Sequence, residues 1–179
     1  MNSDILKKIS EIILKSSPML ICLIFILLDS VPFYFFDFIS FKTQLGLLAI
    51  YTWICCDHRR LRPFSILFFG ILIDLFYSYI FGVSSILLIF IFLLQRNNYE
   101  ILLSKNFNIT WIRFAFFICI YNVFNLVFNN LFLDEIYYNF LEIVYSIITI
   151  IILFPIVFSL VNILNEKIKL IYESGHRGI

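Results

Sequence analysis

The chain has 179 residues, of which 62% are hydrophobic, 20% aromatic and 14% charged, with a mean hydropathy of +0.99. A water-soluble domain carries about a quarter charged residues, so an ordinary soluble globule is excluded, and the apolar residues fall in runs of the kind that cross a bilayer. The formal net charge of +1 leaves no basic field for a nucleic-acid partner.

Residues 1–17 are amphipathic, with Ile5, Ile9, Ile12 and Ile13 on one helical face and Lys7, Lys8, Glu11 and Lys15 elsewhere. No small-residue cleavage site comes after them, so the segment does not read as a removed signal peptide. It is expected to lie on the cytoplasmic membrane face, or to fray there as a tail. The first apolar run is Pro18 to Phe36, and a second goes from Phe38 to Cys56. The basic stretch DHRRLR at 57–62 comes next, holding Arg59, Arg60 and Arg62. Pro63 to Leu94 is uncharged except for Asp74, and further runs cover Ile109–Leu133 and Ile136–Leu164. The last of these is interrupted by Glu142 and Pro155.

As one helix, the 63–94 stretch would extend about 48 Å, well beyond the roughly 30 Å hydrocarbon core. Arg59, Arg60 and Arg62 precede it, while Arg96 and Lys105 lie beyond it. Cytoplasmic loops hold the Lys and Arg excess, so both ends belong inside and the chain must turn back near Ser78–Gly82. The prediction is an all-α polytopic bundle of about six spans within residues 18–164. A short cytoplasmic tail, 165–179, ends the chain, and both termini are inside. Eleven of the thirteen Lys and Arg then lie in cytoplasmic segments.

Asp74 stands mid-span, where an ionised carboxylate costs several kcal/mol unless paired or hydrated. Gly70, Asp74 and Ser78 share one narrow helical face, which invites close approach by another helix and a hydrogen bond across the contact. The residues leave two readings open: a packing node whose carboxyl is bonded to a neighbour, or a proton or ion site. Asp29, just before Ser30 and Pro32, reads as a cap at a helix break or as the edge of a small cavity. Asn122, Asn125 and Asn129 share a face, as do Glu142, Ser146 and Thr149, and two polar stripes on consecutive spans invite interhelical hydrogen bonds or line a cavity.

Cys22, Cys55, Cys56 and Cys119 sit in or beside apolar runs and read as small buried hydrophobes. Residues 55–58, CCDH, are metal-ligand types, but adjacent residues cannot all turn toward one ion. No catalytic residue, metal or cofactor is expected. With inter-span segments of about 15 residues or fewer, no room is left for a soluble catalytic domain, so a non-enzymatic role is predicted.

The order of features over 47–94 resembles the MreD family of rod shape-determining membrane proteins. Tyr51 and Trp53 end a span, HRRLRP at 58–63 forms a short basic loop, and Phe68–Phe69 leads into Gly70-Ile-Leu-Ile-Asp74-Leu75, with Gly82 eight residues beyond the aspartate. Pro32 also agrees with the family's pattern. The chain departs from it at Tyr77, Ser78 and Phe81, where a second small residue and a proline are usual. The resemblance implies a non-catalytic scaffold of the cell-elongation complex in the cell inner membrane. Its implied partners are MreC, MreB, and the peptidoglycan-synthesising RodA with its transpeptidase. It also implies a fold similar to the substrate-binding subunits of energy-coupling-factor transporters. Two rivals carry distinct expectations. A vitamin-transporter subunit would line an outward cavity with Asp29, Asn and Tyr side chains, and a proton-coupled exporter would use Asp74.

Overall fold

The computed structural model describes residues 2–29, 33–34, 40–41, 43–57, 60–77, 81–97, 107–132 and 140–176. Among these residues there are six helices and one two-stranded ribbon. In chain order they are α1 (Asn2–Asp29), β1 (Phe33–Tyr34), β2 (Ser40–Phe41), α2 (Leu45–Asp57), α3 (Pro63–Tyr77), α4 (Val83–Asn97), α5 (Phe107–Phe132) and α6 (Phe140–His176). The strands pair antiparallel, Phe33 with Phe41 and Tyr34 with Ser40.

The 63–94 stretch is two helices, with a break between Tyr77 and Val83. The charges at its two ends demanded that reversal. The first two apolar runs differ from expectation: helix stops at Asp29 instead of Phe36 and resumes at Leu45 instead of Phe38. The cause lies in Asp29, whose carboxylate is bonded to the first amides of α2 and so fixes where both helices meet. No helix break separates residues 1–17 from the first apolar run, because α1 passes through Pro18. Likewise α6 continues past Leu164 and through Pro155 to His176. Helix-breaking residues are tolerated in lipid where neighbours restore the lost backbone bonds.

α2 is central. Every residue from Gly46 to Ile54 is buried, which is what a helix that is apolar all round requires. α1, α3, α4 and α6 pack around it. Tyr51 stacks on Phe117 with centroids 5.5 Å apart and tilts against Phe114 at 5.0 Å. Phe114 in turn stacks on Phe154 at 4.7 Å, and Phe154 on Phe158 at 5.5 Å. This aromatic column joins α2, α5 and α6, and Trp111 adds an N–H bond to the Ile151 carbonyl at 3.1 Å. Two helices contain apolar stretches of bilayer-crossing length, Phe107–Phe128 and Leu141–Leu170, while the other four carry shorter apolar segments.

Candidate functional site

The first four amides of any helix lack intrahelical partners. Where a helix start is buried, no water is there to satisfy them, so the protein must. Two of the helices meet that demand in the same way, with a carboxylate from the last turn of the preceding helix.

Asp29, at the end of α1 and only 3% exposed, lies over the start of α2. Its Oδ1 accepts the Leu45 N–H at 2.7 Å and the Thr43 hydroxyl at 2.8 Å, and its Oδ2 accepts the Gly46 N–H at 2.6 Å. Gly46 makes room for this: a Cβ there would stand 3.2 Å from Oδ2 and 2.5 Å from Cγ1 of Ile26. The cap expected at Asp29 is thus present, but it serves the next helix and not a break in its own.

Asp74, fully buried on α3, does the same for α4. Its Oδ2 accepts the Gly82 N–H at 2.7 Å and its Oδ1 the Ser84 N–H at 3.2 Å. Gly82 has φ +97°, a left-handed backbone that glycine adopts at no steric cost. Its carbonyl takes the Ile86 N–H at 2.9 Å to start the helix. One turn down, Gly70 faces Ser85, whose hydroxyl donates to the Leu67 carbonyl at 3.0 Å. Negative charge at a helix N-terminus is favoured by the helix dipole, which suits a carboxyl group at both positions.

The two caps are linked through α5. Gln44, with φ +53°, starts α2 through its carbonyl, which accepts the Leu48 N–H at 3.2 Å. Its side chain pairs with Asn122, Nε2 to Oδ1 at 2.9 Å and Asn122 Nδ2 back to Oε1 at 3.4 Å. Beside it on α5, the Tyr121 hydroxyl meets the Ser84 hydroxyl at 2.6 Å. A buried polar belt therefore runs from Asp29 through α2, α5 and α4 to Asp74. A non-glycine residue in the left-handed region costs on the order of 1 kcal/mol, which the amide pair helps offset. Gln44→Ala and Asn122→Ala are each expected to destabilise the bundle, with a coupling between them of about 0.6–1.7 kcal/mol in a double-mutant cycle of detergent unfolding. Strict additivity would show that the pair holds nothing.

The remaining candidates are more scattered. Asn125 is buried and returns its Nδ2 to the Tyr121 carbonyl at 3.1 Å, within its own helix. Asn129 is in α5 and Glu142 is half-buried in the first turn of α6. Asn122 reaches the start of α2, a pairing not foreseen between the two polar stripes. Arg60 bonds Asp57 at 3.1 Å at the foot of α2, and Arg62 is exposed with its carbonyl accepting the Ile66 N–H at 3.1 Å. Ser78, Arg59 and the Asn129 side chain lie outside the described residues. Sequence reading missed Thr43, Gln44, Gly46, Ser84 and Tyr121. The available signal was the polar pair before each apolar run, Thr43–Gln44 and Ser84–Ser85, which is how helix starts are marked.

Apolar helices packed round a buried central helix, two of them with apolar stretches of bilayer-crossing length, are consistent with a helical membrane protein. The family model described as rod shape-determining protein MreD matches residues 10–164; the chain belongs to the MreD family. That match covers both carboxylate caps and the whole polar belt. No curated protein and no solved structure gives a significant match. The family is one of shape-determining membrane proteins.

Proposed function

We propose that this protein is a non-catalytic scaffold of the cell-elongation complex. In this reading its six helices cross the inner membrane with both termini in the cytoplasm. A lateral helix face binds the MreC membrane segment. The basic loops at Arg59–Arg62 and Arg96–Lys105 face MreB and anionic lipid, and the bundle positions RodA and its transpeptidase. The family match carries this reading. The engagement of Asp74 with two backbone amides favours it over a proton-coupled exporter, because a group committed to capping is poorly placed to release and rebind protons.

Depletion in the host is expected to turn rods into spheres, and affinity purification of the tagged protein to recover MreC. Normal rods with no MreC recovered would end the proposal. Asp74→Asn separates the scaffold from the exporter. The amide oxygen still accepts one of the two N–H groups, so stability is expected to fall by about 1–2 kcal/mol while rod shape is retained. Loss of function from a fully folded Asp74→Asn protein would favour the exporter.

A further inference from the structure

The apolar helices of the bundle differ in length, and of those with an outward face α3 and α4 are shorter than α5 and α6. α5 and α6 contain apolar stretches of 22 and 30 residues, about 33 and 45 Å of helix. α3 and α4 have 15 residues each, about 22 Å. Arg62 at the foot of α3 and Arg96 at the foot of α4 are exposed and mark one border. Among the described residues beyond them the outward surface is apolar, with Phe64, Phe68 and Leu75 exposed on α3, Ile86 and Phe90 on α4, and Phe81 67% exposed between them.

The closure of the tip supports the same conclusion. Amides of a helix start bathed in headgroup water need no protein partner, yet those of Gly82 and Ser84 are met by the carboxylate of Asp74. A helix longer than the hydrocarbon layer can tilt, but a shorter one cannot stretch, so the bilayer gives way instead. Against a core of about 30 Å the two helices themselves fall short by about 8 Å.

We infer that the α3–α4 face holds a locally thinned bilayer, with the far leaflet drawn down over Phe81, and that short-chain phospholipids are its preferred neighbours. The inference rests on the six-crossing reading of the proposed function. Its test uses the full chain reconstituted in phosphatidylcholines with monounsaturated chains of about 14 to 22 carbons. Thermal stability is expected to peak at the short end and to fall by several degrees toward the long end. Adding one apolar turn to each helix at its cytoplasmic end, after Phe64 and after Leu94, leaves Asp74 and Gly82 in place and is expected to move the optimum to longer chains. A wild-type optimum in the longer lipids, or an optimum that ignores the added turns, would overturn the inference. The crossing itself is read separately, in cells, by alkaline phosphatase fused after Phe81. An active phosphatase, which folds only on the outer side, supports the crossing, and an inactive fusion of normal abundance removes it together with the inference. An active fusion beside a long-chain optimum of the wild-type protein overturns thinning alone.

Discussion

Asp29→Ala is expected to be the most damaging single substitution in the polar belt, lowering stability by about 3–5 kcal/mol in detergent unfolding. The carboxylate receives two backbone amides and one hydroxyl. Removing it strands the Leu45 and Gly46 amides in a buried site, and each unsatisfied buried donor costs about 1–3 kcal/mol. Water cannot repair the loss at a position 3% exposed. Asp29→Asn keeps a single accepting oxygen and is expected to fall roughly midway between wild type and alanine. If the alanine protein unfolded within about 0.5 kcal/mol of wild type, the cap would carry no weight and the account of α2's start would fail.

Gly70→Leu is the second. A Cβ at this position would stand 2.5 Å from both Cα and Oγ of Ser85 and 2.7 Å from its N. Backbone atoms cannot swing aside as a side chain tip can, so α3 and α4 must move apart. Overpacking of this kind costs about 1–3 kcal/mol and sometimes more, and the Ser85 bond to the Leu67 carbonyl adds about 0.5–1.5 kcal/mol if broken. Gly70→Ala is expected to share the clash with less bulk. Gly82→Ala gives the contrast. No atom lies within 4 Å of its Cβ, so its cost of about 1 kcal/mol comes from the left-handed backbone alone. Rod-shape complementation should weaken in the order Gly82→Ala, Gly70→Ala, Gly70→Leu, and a Gly70→Leu protein as stable as wild type would refute the close contact.

Much of the architecture can be read in the sequence, because bilayer crossing and charge bias act on local composition. The fold-back near Ser78–Gly82 is dictated by arginines at both ends of one uncharged stretch, and the chain does break between Tyr77 and Val83. Asp74 stood out because charge is costly where it sits. What Asp74 and Asp29 bond to was not legible. Asp29 meets amides 16 and 17 residues ahead, and that approach depends on Gly46 lying against Ile26, a fact of packing with no local pattern. Gln44 was hidden for the same reason, since its partner Asn122 is 78 residues away. The asparagine stripe on α5 pointed to the right helix, though not to the start of α2 that Asn122 reaches.

α6 runs 37 residues without a break, about 55 Å of rigid rod. Its apolar segment ends near Leu170, and the exposed Glu166, Lys167 and Lys169 ride on the same continuous backbone as Glu142 at the opposite end. Unbroken backbone therefore ties the charged end at Lys167 and Lys169 to the aromatic stack at Phe154, and Pro155 beside that stack, with no amide hydrogen to donate, is where the helix has one backbone bond fewer.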